Sequence, residues 1–330
     1  MNKQYKQLTL EERNQIHYML WDNLSVREIA RQLNRSPSTV SREIKRNTPP
    51  IKRRYTPHLA QEKYQIRKKV VRQRPRLKDP KLVEYVIIKL KEDWSPEQIA
   101  GRWNSTHKKL KISHEAIYQY IYVSSNPGDE NDLRIYLRRK HKRRKRKYIL
   151  YKQEKTTIPN RISIDLRPKE VDKRKTVGHW EGDSIVSRKS KVGLNTLTER
   201  KTLLTKITKI NRKTMEQTTN AVIQRLKDYP EYLRKTLTLD NGTENAGHER
   251  ITQAINILCY FAHAYHSWER GTNENMNGLI RQYFPKGTDF AKISEDEINY
   301  VENMLNNRPR KKLNYLTPNE AFAQAVAVSC

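Results

Sequence analysis

Three acidic residues, Asp183, Asp240 and Glu274, lie where an alternating pattern of strands and helices would bring their carboxylates together. Asp183 falls in the middle of a predicted strand, Asp240 at the end of another, and Glu274 near the start of a predicted helix. Carboxylate oxygens are ligands that Mg²⁺ prefers. Phosphodiester cleavage by two divalent ions needs oxygen ligands that bridge ions roughly 3.5–4 Å apart. The three residues are our candidates for both metal ligands and catalytic groups, with two Mg²⁺ or Mn²⁺ ions per site.

The elements that would carry these acids follow a specific order from about residue 161. Three strands, a helix, a strand, a helix, a strand and a helix are the order of an RNase H-like fold. In that topology the first and fourth strands are neighbours, so Asp183 and Asp240 converge, and the helix after the fifth strand brings Glu274 to them. The predicted strands are residues 179–186, 192–199, 203–210, 236–240 and 259–265, and the helices with assigned bounds are 214–226, 272–283 and 294–306.

The predicted helix that carries Glu274 offers further candidates. Arg281 lies two helical turns after Glu274 and therefore on the same face. Its guanidinium would suit a phosphate beside the metals, and an exposed helix arginine is the alternative. Gly278, one turn after Glu274, would let DNA approach closely. Asn273 and Asn277 would either line the cleft or lie on a plain surface.

Other acids and histidines near the three candidates compete with them for a role. Glu181, for example, alternates onto the same side of its strand as Asp183. Metal ligation is the minority interpretation for each competitor, and a structural role, a loop position or a contact with nearby DNA is the alternative. The competitors are Glu181, Glu244, Glu269, His179, His263 and His266, whereas Trp180 points away from Asp183 and is predicted to lie in the core.

The N-terminal residues carry start signals for three short helices. Thr9 with Glu12 forms a capping-box pattern, Ser25 starts a second helix, and Ser36 followed by Pro37 starts a third. Two short helices joined by a tight turn are typical of a helix-turn-helix motif, whose last helix lies in the major groove of DNA. Hydroxyls and Arg read base edges, while Lys and terminal Arg hold phosphates. The predicted DNA-contacting residues are Ser38, Thr39, Arg42, Lys45 and Arg46; a small bundle with a solvated basic face is the alternative.

A related pattern recurs between residues 79 and 125. The hexapeptide that starts at Ser95 repeats the arrangement of the one that starts at Ser25, and Ser113 begins a further helix with Ile117 and Ile121 inward. We predict a second helix-turn-helix there. Its polar face is poorer in residues that read bases, so a helical domain that only packs is the alternative.

Charge points to a polyanionic partner. The 330 residues hold 67 Lys and Arg against 36 Asp and Glu, a net charge of +31. Residues 1–150 carry 37 basic and 15 acidic side chains, a net of +22, and residues 151–330 carry 30 and 21, a net of +9. Such a surface binds nucleic acid in a salt-dependent manner.

Other classes of protein are disfavoured by composition. No apolar run approaches the ~20 residues that span a bilayer. The two cysteines, Cys259 and Cys330, lack the spacing of a zinc site or a disulfide framework. The N-terminus lacks the apolar stretch of a secretory signal. We therefore expect a soluble intracellular protein that is not associated with a membrane.

Together the patterns predict a multidomain protein, with an all-α tandem helix-turn-helix region followed by an α/β RNase H-like catalytic domain. The basic run from Arg138 to Lys147 has nine Lys or Arg in ten positions, and like charge this dense stays extended unless a polyanion orders it. The predicted segments are a first helix-turn-helix (1–50), a basic linker (51–78), a second helix-turn-helix (79–125), a basic linker (126–160) and the catalytic domain (161–330).

The sequence around the three acids resembles that of bacterial insertion-sequence transposases of the "insertion sequence thirty" family, in the DDE transposase and retroviral-integrase superfamily. The resemblance covers nearly the whole chain. It is carried by the segments 178–183, 239–244 and 269–287, which surround the three acids, and by a tail, Asn307-Arg308-Pro309-Arg310-Lys311 followed by Leu316-Thr317-Pro318. The longest of these segments, 269–287, is the most specific.

The resemblance implies a DNA transposase that binds the terminal inverted repeats of its element. It would then catalyse metal-dependent 3′ strand cleavage and strand transfer on double-stranded DNA. Pairing of two ends implies at least a homodimer on DNA. A sequence-specific transcriptional regulator with an inactive nuclease-like domain is the main alternative, and a nuclease of the RNase H type is a second.

Overall fold

The computed structural model describes residues 7–49, 54–72, 77–124, 128, 132–137, 158–264 and 266–327. Two compact units divide the chain, Met1–Arg76 and Leu77–Cys330. The basic run from Arg138 to Lys147 lies outside the described residues, so the predicted linker 126–160 stays a prediction over most of its length. None of the described helices is both long and apolar enough to cross a membrane.

The N-terminal unit is a small helical bundle. The capping box of Thr9 and Glu12 forms as expected, and the Ser25 hydroxyl accepts a hydrogen bond from the Glu28 N–H. Pro37 occupies the first position of the third helix, where a missing N–H costs nothing. The helices are α1 (Leu10–Trp21), α2 (Val26–Gln32), α3 (Pro37–Asn47) and α4 (Pro57–Arg72).

Helix α4 was not predicted from the sequence. It lies inside the segment 51–78 that was expected to be a linker, and it contacts both α1 and α3. Tyr55 and Ala60 are buried with Ile16, Ile29 and Val40 in one apolar core. The linker prediction was wrong for this helix. The few apolar residues that anchor it are surrounded by basic residues, so the segment resembled a solvated linker in the sequence.

The second helical region begins the larger unit. Leu90, Ile99, Ile117 and Ile121 are fully buried in its core, and Ile117 and Ile121 face inward as predicted. Ser95 forms a complete capping box with Gln98. The helices are α5 (Pro80–Lys91), α6 (Pro96–Thr106) and α7 (His114–Ser124).

A five-stranded mixed sheet forms the centre of the larger unit. Its strand order is β3-β2-β1-β4-β5. The pairs β1–β2 and β2–β3 are antiparallel, whereas β4 runs parallel to both β1 and β5. This arrangement confirms the predicted RNase H-like α/β fold. The strands are β1 (His179–Val186), β2 (Gly193–Glu199), β3 (Thr205–Ile210), β4 (Thr236–Leu239) and β5 (Leu258–Phe261).

Helices cover both faces of the sheet. One apolar core holds Trp180 and Leu237 with residues of α9 and α10, and the other holds Ile185 and Leu194 with residues of α11 and α12. Side chains alternate between the faces of a strand, so Asp183 shares the face of Ile185, towards α11. The helices are α8 (Glu170–Lys173), α9 (Met215–Leu226), α10 (His248–Ile255), α11 (Gly271–Tyr283), α12 (Glu295–Asn306) and α13 (Pro318–Ala327).

The second helical region packs against the C-terminal part of the chain. Arg102 on α6 forms an ion pair with Glu320 on α13, and Lys311 pairs with Glu97 at 2.6 Å. Gly101 lies so close to the Tyr315 ring that any side chain at residue 101 would overlap it. Helix α13 itself was not predicted, and β5 ends at Phe261 rather than at the predicted residue 265.

Candidate active site

Asp183 and Asp240 lie side by side at the centre of the sheet. Strands β1 and β4 are paired in parallel register from His179 opposite Thr236, and Asp240 directly follows β4. The guanidinium of Arg270 lies between the two carboxylates, with Nη1 3.7 Å from Asp183 Oδ1 and Nη2 3.3 Å from Asp240 Oδ2. The sheet thus brings these two predicted residues together.

Both aspartates are held in place by neutral donors. Asp183 accepts hydrogen bonds from the Ser184 N–H at 2.9 Å and from Asn277 Nδ2 at 2.7 Å. Asp240 Oδ1 accepts from the Gly242 N–H at 3.1 Å and from Asn245 Nδ2 at 2.6 Å. These bonds fix the carboxylates, whose side chains remain 24% and 31% exposed.

The pKa of Asp183 is raised above its ordinary value. Burial is the largest cause, the positive charge of Arg270 opposes it, and the negative charge of Asp240 adds to it. Two carboxylates this close repel each other in their charged forms. The pair is therefore a place where a cation is favoured.

Glu274 faces the same region from α11. It precedes Asn277 by three residues within α11, and residues at this spacing lie on one side of a helix. Because Asn277 donates to Asp183, that side of α11 faces the aspartate pair. Glu274 is exposed and has no hydrogen-bond or ion-pair partner within the described part of the chain.

Glu181 positions the helix that carries Glu274. Its carboxylate accepts a hydrogen bond from the Asn273 N–H at 2.9 Å, in the first turn of α11. An acid there satisfies an otherwise unpaired N–H and interacts favourably with the helix dipole. Glu181 is fully buried and lies 3.0 Å from Arg200 Nη1. These contacts assign Glu181 a supporting role beneath the first turn of α11.

The remaining competitors are also engaged elsewhere. Glu244 is buried and pairs with Lys213 at 2.6 Å. Its carboxylate fills the space beside Gly242, so any side chain at residue 242 would overlap it. His179 is buried between two hydroxyl groups, at 2.9 Å from Thr236 Oγ1 and 3.0 Å from Thr176 Oγ1. A neutral imidazole with one donor and one acceptor suits two hydroxyls, and burial lowers the pKa of His179 to about 4.

His263, His266 and Glu269 form a separate group beside the cleft. Their ligand atoms lie within 4.8 Å of one another, and no other such trio, including the three candidate carboxylates, is this compact among the described residues. Glu269 lies 2.8 Å from His263 Nδ1 and accepts from the His263 N–H at 2.8 Å, while Asp165 lies 3.0 Å from His263 Nε2. Glu269 raises the pKa of the exposed His263 through its hydrogen bond. The hydrogen bonds within this group link the two ends of the loop between β5 and α11.

Arg281 lies at the far end of the α11 face. Its Nη2 donates to the Val186 carbonyl oxygen at 3.0 Å, and its guanidinium stacks over the Phe290 ring at 5.6 Å from the centroid. At least one N–H group of the Arg281 guanidinium is therefore already hydrogen-bonded within the protein. Three residues that the sequence analysis missed or left undecided contact the aspartates: Arg270, Asn245 and Asn277. Only the helical spacing from Glu274 gave any signal, and only for Asn277.

The α3 face consists of the five predicted DNA-contacting residues: Ser38, Thr39, Arg42, Lys45 and Arg46. All are exposed except Thr39, which is half-buried. Arg42 donates to the Ser38 carbonyl oxygen at 3.0 Å, within the same helix. Lys45 and Arg46 have no polar partner among the residues that the structure describes, so their charge faces solvent.

A buried polar network supports the α3 face from inside the bundle. Arg13 on α1 is 2% exposed and donates to Glu43 on α3 at 2.7 Å and to Gln61 on α4 at 2.6 Å. The Tyr55 hydroxyl also donates to Glu43, at 3.3 Å. Arg13 on α1 thereby links the Glu43 carboxylate on the inner side of α3 to Gln61 on α4.

Comparison with known proteins finds similarity in the N-terminal region and along the whole chain. Residues 4–47 match the family model described as a helix-turn-helix domain. The chain is 40% identical over 321 residues to the transposase for insertion sequence element IS4351 of Bacteroides fragilis, covering 97% of each chain. It is 39% identical to transposase InsI for insertion sequence element IS30A of Escherichia coli, covering 98% of this chain and 85% of that one.

A third relative and one solved structure extend the comparison. The transposase for insertion sequence element IS1086 of Cupriavidus metallidurans is 34% identical, with 98% of this chain and 96% of that one covered. The crystal structure of the catalytic core domain of BIV integrase aligns with 46% of this chain and 97% of that one, at 18% identity and a TM-score of 0.36.

Proposed function

The chain belongs to the family of insertion-sequence transposases that includes those of IS4351 and IS30, and we propose that Asp183, Asp240 and Glu274 are the catalytic carboxylates with which it cuts and joins DNA strands. Its substrate is the pair of terminal inverted repeats of its own element, together with target DNA. The observation that carries the proposal is the Asp183–Asp240 pair on neighbouring parallel strands, faced by the unpartnered Glu274.

The donor set fits two Mg²⁺ or Mn²⁺ ions. It consists of carboxylate oxygens, which these hard cations prefer. The pair of aspartates is already spanned by a positive group, the Arg270 guanidinium, so the protein itself places a cation there. Two ions roughly 3.5–4 Å apart need such oxygen ligands to bridge them. Asp183, Asp240 and Glu274 would hold the ions.

The reaction consists of a hydrolysis followed by a transesterification. Water attacks a phosphodiester at the element end, which leaves a 5′-phosphate on one side of the break and a free 3′-hydroxyl on the element end. That hydroxyl then attacks a target phosphodiester, forms the new phosphodiester bond and displaces the 3′-hydroxyl of the cut target strand. When bound, divalent ions activate the attacking oxygen and stabilise the leaving one. No covalent intermediate with a protein side chain is required.

Other residues of the chain orient the reacting groups. Asn277 and Asn245 hold the aspartates at fixed angles through their amide groups. Arg281 presents a positive charge to a phosphate on the same face of α11, with the donors that Val186 does not use. The α3 face holds the element end, since Arg and hydroxyl side chains read base edges and Lys holds the backbone.

Assembly on DNA involves at least two copies of the chain. A transposition reaction joins two ends of one element, and each end needs a DNA-binding unit and an active site. A homodimer or a higher oligomer on DNA provides both.

The experiment that tests this function separates cutting from joining. The full chain is incubated with a labelled duplex that carries its element end, in Mg²⁺ or Mn²⁺ and then in EDTA. We expect a metal-dependent nick at the 3′ end and a joined product when target DNA is present. A transcriptional regulator would give neither product, and a plain nuclease would give the nick alone.

Matched variants identify the residues. Asp240→Asn and Glu274→Gln should give neither product. Asp228→Asn and Glu216→Gln, which make the same changes at exposed positions on or after α9, should behave as wild type. Equal cutting by wild type and Asp240→Asn would refute the assignment of the site.

A further inference from the structure

The guanidinium of Arg270 lies against the carboxylates of both Asp183 and Asp240. Its Nη2 lies 3.3 Å from Asp240 Oδ2, and its Nη1 lies 3.7 Å from Asp183 Oδ1 and donates to the Gly182 carbonyl oxygen at 3.2 Å. The side chain is only 14% exposed. The Arg270 guanidinium therefore lies between the two carboxylates and is largely shielded from solvent.

The other groups that hold the two aspartates are neutral. They are the N–H groups of Ser184 and Gly242 and the amides of Asn245 and Asn277. Within the described part of the chain, Arg270 is the one cation within 4.0 Å of both carboxylates. It supplies the larger part of the positive charge that offsets their mutual repulsion at Asp183, with a smaller contribution from Lys213, because neutral donors fix a carboxylate but supply no net charge.

The contact between Arg270 and the pair is loose. Ion-pair hydrogen bonds of a guanidinium are commonly about 2.7–2.9 Å long, and both distances here are longer. The buried Nε atom of Arg270 has no hydrogen-bond partner among the residues that the structure describes. The group thus neutralises the aspartates without forming the two parallel hydrogen bonds that would lock it there.

We propose that Arg270 is a resident counter-ion that competes with divalent metal for the Asp183–Asp240 pair. Its guanidinium keeps the two carboxylates together in the metal-free protein and withdraws from them when the metal ions bind. Arg270 is a positioning residue in this role, and it sets how much metal is needed to load the site. The inference rests on the proposed function of the two aspartates.

Metal binding to the full chain, without DNA and without turnover, tests the inference. Free Mn²⁺ is measured by its electron paramagnetic resonance signal during titration of wild type and Arg270→Gln. We expect Arg270→Gln to bind Mn²⁺ about fivefold more tightly, the factor that corresponds to removal of a partly exposed ion pair. Arg270→Lys should fall between them, because a single ammonium cannot span both carboxylates.

Thermal melting separates a counter-ion from a merely structural arginine. Without metal, Arg270→Gln should melt below wild type, since the aspartates then repel each other unopposed, and saturating Mn²⁺ should close most of that gap. A structural role would lower the melting temperature equally with and without Mn²⁺. Arg250→Gln, an exposed position on α10, is the matched control and should change neither quantity.

The outcomes distinguish this inference from the function on which it rests. If wild type shows no Mn²⁺ binding that Asp240→Asn removes, the proposed metal site itself is wrong. If wild type binds Mn²⁺ through Asp240 but both Arg270 variants bind it equally or more weakly, the counter-ion role is wrong and the metal site stands.

Discussion

The charged side chains of the α3 face and those of the Asp183–Asp240 pair differ in how far they are exposed and paired. On the α3 face, Lys45 and Arg46 project into solvent without partners among the described residues. At the aspartate pair, each carboxylate is held by a neutral donor and a shared cation. Free cations suit a long polyanion whose phosphates are met through flexible side chains, whereas chemistry at one bond needs charges at fixed positions.

Both regions nevertheless rest on a buried ion pair. Arg13 and Glu43 lie 2.7 Å apart beneath the α3 face, and Arg200 and Glu181 lie 3.0 Å apart beneath the first turn of α11. A buried pair is costly to break because removal of one partner leaves the other charged and desolvated. The proposed DNA-binding face and the proposed active site thus differ in their exposed groups, but each is supported by a buried ion pair.

Loss of one aspartate should have the largest effect and should separate the two regions. Asp240→Asn is expected to lower strand cleavage by roughly 1,000-fold, because metal stabilisation of the transition state is worth several kcal/mol. Binding to the element end should stay within about twofold, since the α3 face is untouched. Cleavage rates and gel-shift affinities check both, with Asp228→Asn as control. A parallel loss of binding would show that the two regions do not act separately.

Removal of the support beneath the α3 face should have the next largest effect. Arg13→Ala leaves Glu43 buried without its cation and should destabilise the N-terminal bundle by about 3–5 kcal/mol. Hydrogen exchange of the amides in α1 to α3 of the full chain measures it. The exposed Arg27→Ala should change stability by less than about 0.5 kcal/mol. Unchanged protection in Arg13→Ala would contradict the support role.

Acid should weaken the strand that carries Asp183. The pKa of His179 is lowered by burial to about 4, below its ordinary 6.5. The neutral form therefore stabilises the fold fully above pH 6.5, and this contribution is lost as pH falls from 6.5 towards 4. By linkage the loss is about 3 kcal/mol at most.

Hydrogen exchange of the β1 amides across this pH range tests that dependence. His179→Gln should flatten it, because glutamine does not take up a proton. The exposed His58→Gln should leave the profile of the wild type unchanged. An equally steep profile in His179→Gln would assign the loss to other groups.

Loss of a single side chain from the α3 face should have the smallest effect. Arg42→Ala is expected to weaken binding to the element end by about 1–3 kcal/mol and to relax base preference, whereas Lys45→Ala should weaken all duplexes alike and reduce the salt slope by about one. Salt-dependent affinities for the element end and an unrelated duplex measure both effects, with Arg250→Ala as control. Equal specific binding by Arg42→Ala would exclude base reading by this residue.

Local patterns predicted much of the fold. Capping signals at Thr9, Ser25 and Ser95 marked helix starts, and the predicted bounds of β1 match the observed ones. Helix α4 was missed because its anchors, Tyr55 and Ala60, are few and are surrounded by basic residues. Elements with a regular apolar period or a helix-capping signal can be predicted from the sequence, whereas elements held by a few distant contacts cannot.

The candidate site, like the fold, could be predicted from the sequence only where a local pattern marks the residues. The candidate acids followed from their places on strands and a helix, but Arg270 lies 30 residues from Asp240 and 87 from Asp183 along the chain, and no local pattern marks it. The support by Glu181 also depends on how α11 meets β1. Contacts between distant segments arise from packing, so a sequence pattern alone does not specify them.

Metal-directed cleavage of the backbone tests whether Asp183, Asp240 and Glu274 hold metal at one place. Fe²⁺ in place of Mg²⁺, with ascorbate and peroxide, generates hydroxyl radicals that cut the backbone close to the bound ion, and mass spectrometry maps the cuts. We expect cuts beside all three residues in wild type and their loss in Asp240→Asn. Cuts centred on His263 and His266 that persist in Asp240→Asn would contradict the account.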